Sequence, residues 1–370
     1  MISIIRGIVL LDTKSFYTRR LLSFSAKTIN RIYLYISVNE DDESLQTEAD
    51  YEIEHYIKAL LKMTIYETVD ARLNSIYLLS KLIALFQNIE LRYFTGILNR
   101  FSMLSVIDRD MAVRAKSLQA ISSMAFRIPY DKDIFEEPFY GAIRVLENDP
   151  DKNVRIYALK SLPFNDHTNK LFHIASMDEC PLVRQKVIQG LSCHLTKLTN
   201  IQPKILYHLL KNLFHETDQI NRKKFFENLI LSLIKTCHDD IVVFASFINV
   251  HEDKEFFERM FYAFFDYLRK DSTNLDSSNE FLILINKFID EYLDDKTKLT
   301  NKEQNISSGL TFIWFVLSSY CRNFDLTRSI NSDNHENTLD SSVSDTYPEV
   351  LDVADDILPL LDDLCPFVIK

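Results

Sequence analysis

Residues 149–159 read Asp149-Pro-Asp-Lys-Asn-Val-Arg155-Ile-Tyr-Ala-Leu159, and this motif returns along the chain. A later copy reads Asp178-Glu-Cys-Pro-Leu-Val-Arg184-Gln-Lys-Val-Ile188, and an earlier one reads Asp108-Arg-Asp-Met-Ala-Val-Arg114-Ala-Lys-Ser-Leu118. In each copy an aspartate precedes the arginine by six positions, while the arginines are 41 and 29 positions apart. Such uneven recurrence is typical of a stacked two-helix repeat whose connecting loops vary in length.

A single copy shows how each repeat is built. The Asp149–Pro150 pair ends the preceding helix, and an acidic or small polar residue then caps the next one, whose positive N-terminus favours negative charge. After the cap, Val154, Ala158, Leu159 and Leu162 recur at helical spacing. One helix cannot bury such a stripe alone, so stacking is required. The motif predicts an all-α fold, an α-solenoid of HEAT or armadillo type.

Weaker copies and the composition extend this prediction to most of the chain. Apolar helix starts similar to the motif follow Val69, His215 and Asp253, which makes five or six units. Only 5 Gly and 9 Pro occur in 370 residues, and 46% of the residues are hydrophobic. Few turn residues and a large apolar content disfavour a β architecture and permit one continuous core.

Three polar segments interrupt the helical pattern and set the predicted boundaries. We expect one solenoid over residues 1–322, with loops near 39–50 and 271–280. Residues 323–349 are rich in Ser, Asn and Asp, and this composition predicts a mobile polar insertion. Residues 350–370 are predicted to be the final helix of the solenoid.

The sequence gives no convincing secretory or membrane segment, so no membrane partner is expected. The opening run Met1–Leu11 is interrupted by Arg6, and the uncharged run 309–321 is too short to cross a bilayer. Both suit buried helices better. The five cysteines form no Cys-x-x-Cys pair, as expected of reduced thiols in a cytosolic or nuclear protein.

Charge raises the question of nucleic-acid binding. A net charge of −11 argues against a general polyanion binder, but the two faces of a solenoid can differ, and the repeat helices begin with basic residues. Stacked repeats would align these residues along phosphates, giving salt-sensitive binding without sequence preference. Ordinary solvated helix charges are the alternative interpretation of the lysines. The DNA-binding candidates are Lys116, Lys152, Lys160, Lys186, Arg222, Lys223 and Lys224.

The sequence contains few motifs that would indicate catalysis. The chain lacks a phosphate-binding glycine loop, a Gly-x-Ser-x-Gly turn and a His-Glu-x-x-His helix. His215-Glu216 and His251-Glu252 resemble the His-Glu pairs of HEAT-repeat di-iron hydroxylases, but such a site needs about four pairs. We interpret them as loop histidines that precede glutamate. No catalytic residue, metal, cofactor or small-molecule substrate is predicted.

Several segments, taken in order, follow the pattern of one known protein family. Glu147-Asn-Asp-Pro-Asp-Lys-Asn-Val-Arg-Ile-Tyr-Ala-Leu159 is similar to the family phrase ENDxNxxVRRAxL. Ile248–Phe257, Leu310–Trp314 and Asp356–Cys365 resemble its LDVENSSEV, ALYWR and ILPxLxxLCxY segments in the same order. Together these segments resemble the CAP-G family of condensin subunits. The resemblance covers about residues 30–370, departs from the pattern at Val69-Asp70, and indicates an N-terminal part of that family.

The arginine position of the motif resembles that of the HEAT-family ladder, in which the arginine of one repeat meets an aspartate of a neighbouring repeat. This resemblance implies a structural role for the arginines. The ladder residues are Asp108, Arg114, Asp149, Arg155, Asp178 and Arg184.

The resemblance also implies a function. CAP-G proteins are non-catalytic: they bind the CAP-H type kleisin subunit, and together the two hold double-stranded DNA during mitotic chromosome condensation. The SMC subunits, with which contact is indirect, supply the motor activity. Nuclear and chromosomal localisation follows, with a cytoplasmic phase in part of the cell cycle. Another HEAT scaffold, such as a transport receptor or phosphatase scaffold, remains open, as does a di-iron hydroxylase.

Overall fold

A computed structural model describes residues 2–38, 43–85, 91–127, 129–194, 203–270, 284, 287–288 and 309–320. The chain divides into two compact units, Met1–Val187 and Ile188–Lys370. Within the described ranges every regular element is helical. No helix in these ranges is long and apolar enough to cross a membrane.

The first unit contains nine complete helices in its described part, and α10 (Pro181–His194) begins within it. They are α1 (Ile2–Val9), α2 (Phe16–Val38), α3 (Glu43–Met63), α4 (Val69–Leu85), α5 (Leu91–Ile107), α6 (Met111–Ala125), α7 (Glu136–Asn148), α8 (Lys152–Leu159) and α9 (Asn169–Ser176).

These helices form two layers. Helices α2, α4, α6 and α8 pack side by side in one layer, and α3, α5, α7 and α9 pack side by side in the other. Consecutive helices α3/α4, α5/α6 and α7/α8 also pack across the layers. Each such pair is one repeat, so the motif marks the start of the second helix of a repeat.

The motif acts as predicted at the helix starts. Asp151 caps α8 by accepting hydrogen bonds from the backbone N–H groups of Asn153 (2.8 Å) and Val154 (3.1 Å). Asp110 caps α6 in the same way. The stripe that follows is buried, with Val154 and Ala158 at most 1% exposed. Capping satisfies the free N–H groups of the first turn, and the apolar stripe fixes which face turns inward.

The second unit has a core rich in phenylalanine. Its helices are α11 (Pro203–Phe214), α12 (Gln219–Lys224), α13 (Leu231–Thr236), α14 (Ile241–Phe247), α15 (Lys254–Lys270) and a helix at 309–320. A π-helical segment, Phe225–Ile230, joins α12 to α13. The rings of Phe226 and Phe264 lie 6.1 Å apart, and Phe257, Phe261 and Phe265 are fully buried.

The predicted loop near 39–50 is wrong in its second half, because α3 begins at Glu43. The segment Glu43–Asp50 is acidic, but Glu, Leu, Gln and Ala are good helix formers and Glu favours a helix start. The predicted loop at 271–280, the insertion at 323–349 and the final helix at 350–370 lie outside the described residues.

Candidate nucleic-acid interface and the arginine ladder

Three arginines of the first unit pair with aspartates of the following repeat. Arg114 Nε and Nη2 donate to Asp149 Oδ2 (2.6 Å) and Oδ1 (3.0 Å). Arg155 makes the same bidentate contact with Asp178, at 2.7 and 2.9 Å. All four side chains are at most 11% exposed. Bidentate geometry and burial make these contacts strong and directional.

The third nitrogen of each arginine binds the end of the preceding helix. Arg114 Nη1 donates to the carbonyl of Asp108 (3.0 Å), and Arg155 Nη1 donates to that of Asp149 (2.8 Å). Arg184 Nη1 donates to the carbonyls of Asp178 and Glu179. Hydrogen bonds to the aspartates raise the pKa of Arg114 and of Arg155, so both stay charged.

The ladder reaches one repeat further toward the N-terminus than the sequence prediction. Arg72 Nη2 donates to Asp108 Oδ1 (3.0 Å), and Arg72 Nε lies 2.9 Å from Asp108 Oδ2. Its Nη1 donates to the carbonyls of Tyr66 and Glu67. The weaker copy of the motif that begins at Val69 contains this arginine, so the sequence did carry a sign of the additional pair. The predicted Asp108 thus has its partner in Arg72.

The repeat that opens the second unit follows a different pattern. Arg222 holds the ladder position of α12, six residues after Glu216, yet it is exposed. Asn221 is buried instead, and its Nδ2 donates to Glu216 Oε2 (3.1 Å), while Glu216 Oε1 accepts the N–H of Asp218 (2.9 Å). Shifting the buried polar residue by one position turns Arg222 outward.

Among the DNA-binding candidates, Lys116 lies in a cluster of positive charge from three neighbouring helices. Lys116 Nζ is 5.4 Å from the ring centroid of Tyr77, and Lys81 Nζ is 5.7 Å from the same centroid. Burial, then Arg19, then Lys81 lower the pKa of Lys116. Arg19, Lys81 and Lys116 come from α2, α4 and α6, which are adjacent in one layer.

We call Arg19, Lys81, Lys116 and Tyr77 the basic cluster. Sequence reasoning found only Lys116, because Arg19 and Lys81 lie outside the recurring motif. Like charges repel, so an anion bound beside these side chains would stabilise the cluster. No local sequence pattern marks Arg19 and Lys81, because only the packing of α2, α4 and α6 in one layer brings them near Lys116.

The other candidates are distributed over α8, α10 and α12. Lys152 and Lys160 are exposed at the two ends of α8, and Lys186 is half-buried on α10. Arg222 and Lys223 are exposed, whereas Lys224 is half-buried at the end of α12. Lys116, Lys186 and Lys224 each follow the ladder position of their own helix by two residues, so they share one register of the repeat.

The described residues among those weighed for metal binding do not assemble into a site. Within the described ranges no group of three or more His, Cys, Asp or Glu residues is placed to hold a metal ion. Both carboxylate oxygens of Glu216 accept hydrogen bonds inside its own turn, and His215 is exposed. Cys180, Cys193 and Cys237 are free thiols, and burial raises the pKa of Cys237 to about 11. A thiol with such a pKa is a poor nucleophile.

An ionic contact in the second unit joins α11 to α15. Asp253 Oδ2 accepts from Lys211 Nζ (2.7 Å) and from the Tyr207 hydroxyl (2.8 Å), while Oδ1 accepts the N–H of Phe256 (3.1 Å). Asp253 therefore caps α15 and pairs with α11. Hydrogen bonds from Lys211 and Tyr207 lower the pKa of Asp253 to about 2.

Comparison with known proteins identifies the fold. No family model matches the chain, and no curated protein matches it. A chain in the crystal structure of the S. pombe condensin Cnd3-Cnd2 subcomplex is similar, with a TM-score of 0.53 and 14% identity, over 98% of this chain and 50% of that chain. At this identity the likeness shows the fold alone. The predicted all-α, HEAT-type solenoid is confirmed, and the chain spans half the length of its structural neighbour.

Proposed function

We propose that this chain is a non-catalytic HEAT-repeat scaffold of condensin, in the manner of CAP-G. In this role it binds the CAP-H type kleisin subunit and helps to hold double-stranded DNA during mitotic chromosome condensation. Its place is then the nucleus and chromosomes, with SMC subunits as indirect partners. The single observation that carries the proposal is the likeness to the condensin Cnd3-Cnd2 subcomplex over 98% of the chain.

The arginine ladder supports a scaffold role. Arg72, Arg114 and Arg155 are consumed by buried ion pairs between repeats, so their charge is not offered to a ligand. Buried pairs of this kind fix the register of one repeat on the next. DNA contact is left to the lysines and to arginines outside the ladder.

The basic cluster supports phosphate contact. Lys81 and Lys116 lie beside the Tyr77 ring, and Arg19 adds a third positive charge that acts on Lys116, in a chain whose net charge is −11. The overall charge repels DNA, whereas the local charge attracts it. Such a chain binds DNA weakly alone and needs a partner that adds positive charge or encloses the duplex. The kleisin is that partner in this proposal.

The test measures affinity for duplex DNA by fluorescence anisotropy, with and without the CAP-H type kleisin of the same organism. We expect the kleisin to bind the full chain and to strengthen DNA binding by about tenfold or more, with an affinity that falls steeply as salt rises. Unchanged DNA affinity with the kleisin bound would overturn the DNA part. Failure to bind the kleisin would overturn the condensin assignment and favour another HEAT scaffold.

The di-iron alternative has its own readout. The hydrogen bonds of Glu216 leave its carboxylate committed within α12 and its cap. Metal analysis of the purified chain is expected to find no stoichiometric iron. About two irons per chain would instead support a hydroxylase.

A further inference from the structure

Helix α2 has two apolar faces, of which one is packed and one is open. Leu22, Ala26 and Ile29 are buried on the packed face, and α2 lies against α1, α3 and α4. The open face carries large apolar side chains at helical spacing (i, i+4, i+7, i+15, i+18), which we call the α2 stripe. Its members, with their exposed fractions, are Tyr17 (73%), Leu21 (42%), Phe24 (68%), Ile32 (41%) and Tyr35 (74%).

This face is unusual for a helix surface that faces solvent, because such a surface is ordinarily polar. The α2 stripe instead has the spacing by which one helix packs against another. Helix α2 is 23 residues long, about 34 Å, so the stripe is long enough to hold a helix of five or six turns.

A line of positive charge borders the stripe. Arg20, Lys27 and Arg31 are exposed and follow one another at i, i+7 and i+11, along one edge of the open face. The guanidinium of Arg20 lies 4.2 Å from the ring centroid of Phe16. The sequence of α2 contains no Asp or Glu. The face therefore presents an apolar centre with a basic edge.

We propose that the α2 stripe is the docking site for an acidic amphipathic helix of a partner protein. The apolar face of that helix covers Tyr17, Phe24 and Ile32, and its carboxylates pair with Arg20, Lys27 and Arg31. A second copy of this chain fits poorly, because a symmetric contact between two α2 helices would bring the basic edges together. Binding to nucleic acid phosphates would not explain the exposed aliphatic side chains Leu21 and Ile32. The proposal does not rest on the proposed function.

The test uses the full chain and a synthetic peptide of about 20 residues. The peptide carries Leu at i, i+3, i+4 and i+7 positions and Glu beside them, and a matched peptide has Lys in place of each Glu. Fluorescence anisotropy is expected to show saturable binding of the acidic peptide that weakens with salt, and binding of the basic peptide about tenfold weaker or less. The double variant Tyr17→Ser/Phe24→Ser is expected to lose about tenfold in affinity.

The control variant is Ile65→Ser/Ile107→Ser, which removes two exposed apolar side chains outside α2. We expect it to bind the acidic peptide as the wild type does, and both variants to keep the wild-type melting temperature because the residues are exposed. Equal binding of the two peptides, or full binding by the α2 variant, would overturn the proposal.

Three other outcomes would assign the stripe elsewhere and equally overturn it. In each, the acidic peptide does not bind the chain, and a different interaction is abolished by Tyr17→Ser/Phe24→Ser. That interaction is a dimer seen in light scattering, binding to anionic phospholipid vesicles, or binding to duplex DNA.

Discussion

At the scale of a residue, Asp178 shows how much a single buried carboxylate contributes to stability. It accepts two hydrogen bonds from Arg155 and one from the N–H of Cys180 (2.8 Å), and its side chain is 4% exposed. Asp178→Asn keeps the size but leaves the buried guanidinium without its counter-charge. We expect the free energy of unfolding to fall by about 3 kcal/mol or more, measured by urea denaturation.

Glu179 is the matched control for Asp178. Its Oε1 lies 3.5 Å from Nη2 of the same Arg155, but its side chain is 88% exposed. Solvent screens such a contact, so Glu179→Gln should change the free energy of unfolding by less than about 0.5 kcal/mol. Similar losses for Asp178→Asn and Glu179→Gln would show that the buried geometry of the ladder is not what stabilises the repeat.

Asp253 predicts a pH dependence in the second unit. Its pKa is lowered from an ordinary value of 3.8 to about 2 in the folded chain. A lowered carboxyl pKa gives stability that is present above about pH 4 and is lost as the pH falls toward about 2. Asp253→Asn is therefore expected to unfold at lower urea concentration than the wild type at neutral pH, and the difference between their midpoints should narrow as the pH falls from about 4 toward about 2.

The control for Asp253 is its neighbour Glu252, which is exposed. Glu252→Gln should show no midpoint difference that narrows with pH. A midpoint difference for Asp253→Asn that stays constant down to about pH 2 would mean that Lys211 and Tyr207 do not hold the carboxylate ionised.

Sequence reasoning reached the ladder at residue scale but missed most of the basic cluster. The ladder arginines recur in a motif, so the same Asp and Arg positions can be recognised several times in one sequence. Arg19 and Lys81 have no such repetition, and they meet Lys116 only because α2, α4 and α6 pack side by side. Contacts that depend on layer packing are not written in the local sequence.

At the scale of elements, the packing of α5 on α7 depends on Gly141. Ser102 Oγ on α5 donates to the carbonyl of Glu137 (2.8 Å), and a Cβ at Gly141 would collide with this hydroxyl. Gly141→Ala must displace the hydroxyl or spread the helices. We expect a loss of about 1–3 kcal/mol in the free energy of unfolding, measured by urea denaturation.

Two further variants separate close packing from helix propensity. A Cβ at Gly96 on α5 meets no atom within 4 Å, so Gly96→Ala should stabilise by about 0.5–1 kcal/mol. Adding Ser102→Ala to Gly141→Ala removes the colliding oxygen, and the pair should recover part of the loss. If Ser102→Ala deepens the loss instead, the collision is not its cause.

The starts of helices follow from the sequence where a capping residue marks them. Helix starts at Asp110 and Asp151 follow from capping chemistry that lies within three residues. The start of α3 at Glu43 departs from the predicted loop, because the helix propensity of its residues outweighs their acidic composition. The π segment Phe225–Ile230 carries no sequence signal that distinguishes it from an ordinary turn of helix, so only the structure shows it.

At the scale of the whole molecule, the chain combines a negative net charge, which repels phosphate, with the local positive charge of the basic cluster, which attracts it. In the proposed role, the net charge of −11 would weaken binding to DNA at long range, and salt would screen this repulsion. Local phosphate contacts release counterions instead, so their number sets the slope of log affinity against log salt. The salt slope of DNA binding therefore distinguishes direct phosphate contacts from the effect of net charge. An affinity measured at one salt concentration does not.

This difference gives a prediction for the basic cluster in the full chain with the kleisin bound. The triple variant Arg19→Gln/Lys81→Gln/Lys116→Gln should lower the salt slope of duplex DNA binding by about 2–3, at roughly 0.9 per lost phosphate contact, for any DNA sequence. Lys14→Gln/Lys58→Gln/Lys62→Gln is the control, because it removes three exposed charges from the same unit and changes the net charge equally. Its slope should stay at the wild-type value while its affinity falls slightly. Equal slopes for the two triple variants would mean that the cluster acts only through net charge and does not touch phosphate.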